Sequence, residues 1–300
     1  MTAPAVPLGQ STRKGRRELK NVLATTFIVG SFIVALVPLT LIVVYVARAG
    51  IKVFGLDFLT QDLPFSNRVA GGGMNAAIVG TLVITGTATA MAVPLGILGG
   101  IYLNEYGGGG VVARVVRFLA DVMTGVPSIV MGLFIYTIWV LPRKDAGLTG
   151  FAGALALGCL MLPIVIRTTE EILKVVPDDL REGSYALGSR KAQTIWRVVF
   201  PNAAPGIISG ALLGVARVAG ETAPLLFTIG IVSTPNWNVF DGPNTALPQQ
   251  IYINASVFGG FDAAKDRAWG AALALILIVF LFTLVARVIT TIYARRSAAI

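Results

Sequence analysis

The amino-acid sequence predicts an all-α, polytopic membrane protein with six transmembrane helices. Of its 300 residues, 55% are hydrophobic and only 13% are charged, whereas a soluble domain carries about 25% charged residues. The mean hydropathy is +0.78. Apolar runs of about 20 residues, the length that crosses a hydrocarbon core of ~30 Å, recur along the chain. These observations exclude a soluble globular domain.

The apolar runs predict the spans in order. Residues 1–20 are polar and basic, and we expect them to form a cytoplasmic tail; the run that follows is too long for a cleaved signal peptide. The six predicted spans are 21–47, 75–103, 118–141, 148–167, 203–231 and 268–292. Six spans place both termini on one side, and the loops on that side carry about twice as many Lys and Arg residues as the opposite loops. Both termini are therefore predicted to be cytoplasmic.

Composition also limits the chemistry. The chain has no histidine and one cysteine, Cys159, which argues against a zinc or haem site. The net charge of +9 lies mostly in loops where it orients the chain, so we expect membrane lipid and no nucleic acid as a partner. No GxxxxGK[ST] phosphate loop is present. We expect no cofactor on this chain, and any ATP must be bound by another subunit.

The connection between the fourth and fifth predicted spans has a helical pattern. Asp178 or Asp179 is expected to cap a first short helix, which Gly188 would end in a left-handed conformation. Ser189 would cap a second helix that ends at Pro201. Apolar side chains within this charged connection indicate that it docks onto another surface, although a solvated connecting loop is the alternative.

The same connection, the coupling loop 168–201, carries a spaced motif. The pattern Glu182-x5-Gly188-x9-Val198-x-Phe200-Pro201 resembles the EAA signature of bacterial ABC-importer permeases, E-A-A-x3-G-x9-I-x-L-P, with Gly and Ser in place of the two alanines. The resemblance implies that this loop inserts into a separate ATP-binding subunit. The contact residues that it implies are Glu182, Gly183, Ser184, Tyr185, Ala186 and Gly188.

The fifth predicted span contains two charges, Arg217 and Glu221. Three glycines recur there every four residues, a spacing that lets another helix approach closely: Gly206, Gly210 and Gly214. At ~100° per residue both charges fall on the glycine face, away from lipid. Being four residues apart, they are expected to pair within the helix, and Pro224 is expected to kink it. The pair is either a structural salt bridge or a gate for an anion.

Two stretches resemble the permeases of phosphate ABC importers. They are DVMTGVPSIVMGLFIY at 121–136 and ARVAGETAPLLFT at 216–228. The first also has a purely structural interpretation, a helix capped by Asp121 or Thr124 with Pro127 in its first turn. The resemblance implies the type I ABC importer permease fold, with the permease domain at 75–292. It also implies that Arg217 and Glu221 take part in phosphate passage.

The resemblance implies a transport function rather than an enzymatic one. The chain would be the permease subunit of an ATP-driven phosphate importer in the bacterial cytoplasmic membrane, and it would form half of the translocation pathway. The implied partners are a PstC-type permease, a pair of PstB-type ATP-binding subunits and an extracytoplasmic PstS-type phosphate-binding protein. Alternatives are a permease for molybdate, sulfate or phosphonate, a secondary transporter, and a membrane-embedded enzyme.

Overall fold

A computed structural model describes residues 12–64, 66 and 68–297. This part of the chain is helical and contains no strand, which confirms the all-α prediction. The helices are α1 Thr12–Gly50, α2 Leu56–Thr60, α3 Asn75–Ile101, α4 Val111–Gly125, α5 Ser128–Ile135, α6 Gly150–Val175, α7 Asp178–Ala186, α8 Lys191–Thr194, α9 Phe200–Ala219, α10 Leu225–Thr228, α11 Leu247–Tyr252 and α12 Asp262–Ser297. Four π-helical turns interrupt or extend them, at Tyr102–Tyr106, Tyr136–Val140, Ile195–Val199 and Ile253–Val257.

Two compact units make up the chain, and the first, up to Arg48, consists of most of α1. This helix contains the whole of the predicted first span and exposes its apolar side chains. It begins at Thr12, inside the stretch predicted to be a tail. The rest of that predicted tail, residues 1–11, lies outside the described residues.

The second unit, from Ala49 onward, contains the other spans. In the described residues, five helices, including α1, are long and apolar enough to cross a membrane, and a sixth span results if α4 and α5 count as one. The predicted continuous third span is wrong, because α4 and α5 meet at an angle of 106°. Val126 is extended, with φ −70° and ψ 128°, as expected for a residue before proline. Neither Asp121 nor Thr124 caps α5; the Thr124 hydroxyl instead donates to the Asp121 carbonyl at 2.7 Å.

The fifth span also differs from its prediction, 203–231. Helix α9 ends at Ala219, so Glu221 lies beyond it and Pro224 directly precedes α10. Pro224 has no N–H for the carbonyl four residues earlier, and here the helix terminates where a kink was predicted. At the other end Pro201 does not stop the helix: residues 191–219 run as one helix through the π-helical turn at 195–199.

Small residues bring the central helices together. An added Cβ at Gly206 would lie 2.7 Å from the side chain of Ile172, and one at Gly210 would lie 2.9 Å from the side chain of Thr168. The glycine face of α9 therefore packs against α6, as the four-residue spacing predicts. The central hydrophobic cluster is formed by α3, α6, α9 and α10 and includes Leu157, Met161, Val165, Val218 and Leu225.

The segment after α10, predicted as an outward loop at 232–267, is partly helical and packs inward. The Leu247 N–H donates to the buried Thr81 hydroxyl of α3 at 2.8 Å. Buried Gln249 and Gln250 bond the Thr245 side chain at 3.1 and 2.8 Å. These hydrogen bonds satisfy polar groups that an apolar environment would otherwise penalise.

Candidate functional site

The break between α4 and α5 faces the end of α9 across a cavity of about 200 Å³. Its polar lining comes from Thr124 and Ser128 at the break and from Arg217 and Glu221 at the end of α9. Leu160 and Ile164 of α6 form an apolar wall. The structure thus brings together the two predicted motifs, which lie about ninety residues apart in the sequence.

The predicted salt bridge between Arg217 and Glu221 is not formed. Among the described residues, neither side chain makes an ion pair within 4 Å. The i,i+4 geometry requires a continuous helix, and α9 ends two residues before Glu221. Arg217 is exposed and Glu221 is half-buried, both at the cavity. The guanidinium and the carboxylate are therefore available to a ligand.

These groups suit a tetrahedral oxyanion. A guanidinium offers several N–H donors in a planar fork that matches two oxygens of such an anion. The Thr124 hydroxyl already donates to the Asp121 carbonyl, so its oxygen can only accept. The Ser128 hydroxyl makes no hydrogen bond to any described residue, which leaves it as the hydroxyl donor of the cavity.

Six residues beyond Ile164 along α6, toward the coupling loop, a cluster of ion pairs surrounds Glu170. The Glu170 side chain is 0% exposed and bonds Arg117 at 2.8 Å, Arg167 at 3.0 Å and Lys174 at 2.9 Å. Arg167 also pairs with Asp121 of α4. The i,i+3 and i,i+4 spacings within α6 are visible in the sequence, but nothing in it indicates the pairs that reach α4. We call these five residues the Glu170 cluster.

The coupling loop contains two helices, α7 and α8, as predicted, but α8 continues into α9 instead of ending at Pro201. Gly188 has φ +81°, which confirms the left-handed end of the first helix. The predicted caps are wrong by one residue or more. Asp178 and Asp179 lie in the first turn of α7, after Pro177. Arg190 rather than Ser189 precedes α8, and its N–H donates to the Gln193 side chain at 3.0 Å.

The predicted coupling residues divide into two groups. Five are exposed: Glu182, Gly183, Tyr185, Ala186 and Gly188. Ser184 is buried, and its hydroxyl bonds that of Thr194 at 2.8 Å. Its side chain therefore ties α7 to α8 and is not exposed at the surface of the loop.

Comparison with known proteins agrees with this architecture. The family model described as the inner membrane component of binding-protein-dependent transport systems matches residues 92–298. The phosphate transport system permease protein PstA of Mycobacterium leprae (strain TN) is 48% identical over 88% of this chain and 86% of its own length. The chain belongs to the PstA family. PstA of Yersinia pestis is 41% identical over 94% of both chains.

Solved structures show the fold that this PstA-family permease shares. A bacterial ABC transporter involved in alginate import aligns with a TM-score of 0.62 at 15% identity, over 93% of this chain and 99% of that one. The MetNI methionine ABC transporter aligns with a TM-score of 0.55 at 20% identity, over 74% and 94%. The PstA-family chain therefore has the type I ABC importer permease fold, as predicted.

Proposed function

We propose that this chain is the permease subunit of an ATP-driven importer of inorganic phosphate and forms half of its translocation pathway. The cavity carries the proposal, because it places Arg217, Glu221 and Ser128 around one space at the break of the third span. The relatives of this chain are named as permeases of the phosphate transport system. The phosphate would pass through this cavity as the helices around it rearrange.

The presence of a cation, Arg217, and a carboxylate, Glu221, in the lining of one cavity favours phosphate over sulfate or molybdate. At neutral pH phosphate keeps at least one O–H, which can donate to the Glu221 carboxylate while the other oxygens accept from Arg217. Sulfate and molybdate have no O–H at that pH, so an ionised carboxylate, which only accepts hydrogen bonds, would repel them. A phosphonate can retain an O–H and is not rejected by this criterion.

The coupling loop supports an ATPase partner. Its surface presents large apolar side chains, with Leu187 89% exposed, and Tyr185 and Trp196 also exposed. Exposed apolar patches rimmed by charges are typical of protein interaction sites. We propose that this surface binds one of two PstB-type ATP-binding subunits. By the family's subunit plan, a PstC-type permease would form the other half of the pathway and a PstS-type protein would deliver phosphate.

The proposed orientation follows from charge. Lys and Arg are concentrated in the loops that share a side with the termini, so we place both termini in the cytoplasm of a bacterial cell, with the chain in its inner membrane. The coupling loop then faces the cytoplasm, where ATP is available.

Transport by the reconstituted complex tests this function. The chain is co-expressed with the proposed PstC-type, PstB-type and PstS-type subunits, and the complex is purified in detergent and reconstituted into lipid vesicles. Uptake of radiolabelled phosphate is then measured with and without ATP. We expect ATP-dependent phosphate uptake that excess sulfate does not inhibit, and we expect Glu221→Gln to make uptake sensitive to sulfate. The control is Glu171→Gln, which removes an exposed carboxylate of α6 that does not line the cavity. Uptake driven by an ion gradient without ATP would instead identify a secondary transporter.

A further inference from the structure

We propose that the π-helical turn Tyr102–Tyr106, at the coupling-loop end of α3, transmits movement of the coupling loop to α4, which forms part of the cavity wall. Glu105 and Arg181 act in this transmission as positioning residues. The proposal rests on the proposed function, since it assumes a partner that moves α7.

Arg181 of α7 makes the first connection. Its side chain is 14% exposed, and that of Glu105 is 5% exposed. The guanidinium bonds Glu105 at 2.9 Å and the carbonyls of Leu173 and Val176, at the end of α6, at 2.9 and 2.7 Å. One side chain therefore joins α7 to the end of α6 and to the turn. Most of its donors are used within the protein, so Arg181 is not free to bind a ligand.

The turn also holds the second helix of the coupling loop. The Lys191 ammonium at the start of α8 lies 4.9 Å from the centre of the Tyr106 ring, within the range of a cation–π contact. Asn104 donates to the same Glu105 oxygen that binds Arg181, at 2.8 Å. The turn thus contacts α7 through Glu105 and α8 through Tyr106. A displacement of either helix acts on it directly.

The second connection runs from the turn to α4. Leu103 is 0% exposed, and its carbonyl accepts from the Arg117 guanidinium at 2.8 Å. Arg117 also bonds the Gly108 carbonyl at 3.4 Å and Glu170 at 2.8 Å. Arg117 belongs to α4, whose last turn contributes Thr124 to the cavity. Because α4 is a regular helix, a shift at Arg117 displaces the cavity wall as well.

The π-helical geometry fits this role. A π turn contains one more residue per hydrogen-bonded ring than an α-helix, and such turns occur frequently at functional sites. Here the Gly107 N–H bonds the carbonyl of Tyr102, five residues earlier, at 2.6 Å. The neighbouring residues Leu103, Glu105 and Tyr106 then reach α4, α7 and α8 from one turn. Neither the EAA-like signature nor the two phosphate-permease motifs include these residues.

The ratio of ATP hydrolysed to phosphate imported tests the proposal in the complete reconstituted complex. Glu105→Gln and Arg181→Gln should each raise this ratio by roughly fivefold or more, within the usual range of coupling between sites. The double variant should be no worse than Arg181→Gln alone, because Glu105 acts through its bond to Arg181. Arg181→Lys keeps the charge opposite Glu105 but loses the fork to the carbonyls, so we expect an intermediate ratio. Arg114→Gln, an exposed charge change on α4, should behave as wild type.

Other results would contradict either transmission through the π-helical turn or the proposed substrate, and the two cases can be told apart. A wild-type ratio in both single variants, or additive effects in the double variant, would refute transmission through the turn. Variants that do not co-purify with the ATP-binding subunits while Arg114→Gln does would show a purely structural role and would also refute it. If the wild-type complex imports a different anion, the proposed substrate is wrong, but the ratio measured with that anion still tests the turn.

Discussion

Replacing Glu170 with Gln should destabilise the permease measurably. The carboxylate is fully buried and bonds three cations at 2.8 to 3.0 Å, and a hydrogen bond to a charged group contributes ~1.5–3 kcal/mol. The three contributions do not simply add. Lys174 is 55% exposed and can return to water at little cost, while Arg167 keeps Asp121. The main loss is the Arg117 contact, so we expect a destabilisation of about 3 kcal/mol, in the range for a broken buried pair.

Thermal unfolding of the purified permease in detergent measures this effect. The midpoint for Glu170→Gln should fall by several degrees relative to wild type. Glu171→Gln is the matched control, because Glu171 follows Glu170 on the same helix but is exposed and forms no ion pair with a described residue. Equal midpoints for the two variants would refute the conclusion that the Glu170 cluster fastens α4 to α6.

Two glycine substitutions test the cavity wall and the coupling loop. An added Cβ at Gly132 would lie 2.5 Å from the backbone of Pro224, which directly precedes α10. Gly132→Ala should therefore lower phosphate uptake by pushing α5 away from the start of α10. Gly125→Ala, whose added Cβ would have nothing within 4 Å, should leave uptake unchanged, and equal rates for the two variants would contradict this packing. Gly188 has φ +81°, so Gly188→Ala should cost about 1–2 kcal/mol and lower ATP-dependent uptake without loss of the protein from the membrane. Normal uptake by this variant would remove Gly188 from the coupling assignment.

The features predictable from the sequence are those set by local pattern. Length and hydropathy identify the spans because any helix that crosses a hydrocarbon core needs about 20 apolar residues. The four-residue spacing of Gly206 and Gly210 predicts a close helix contact for the same local reason, and α6 provides it. Gly188 marks a left-handed helix end because a side chain is disfavoured there.

Other features depend on contacts between distant segments. Pro127 is compatible both with a helix start and with a sharp break, and the choice depends on what α4 and α5 pack against. The end of α9 at Ala219 removes the predicted pairing of Arg217 with Glu221. Gly220 and Pro224 together are a local signal for this helix end, whereas Pro224 taken alone also fits the predicted kink. The Arg117–Glu170 pair joins residues 53 positions apart, so no local spacing indicates it.

The most direct test of phosphate passage through the cavity is the initial rate of phosphate uptake by membranes that contain Arg217→Gln in the assembled complex. Losing one charged hydrogen-bonding group, at ~1.5–3 kcal/mol, should lower the rate roughly 10- to 100-fold. Assembly with the other subunits should stay intact, because Arg217 forms no ion pair within the described chain. Arg287→Gln, which removes an exposed arginine from α12, should transport at the wild-type rate. A wild-type rate for Arg217→Gln, or loss of assembly in that variant alone, would contradict a role for this cavity in phosphate passage.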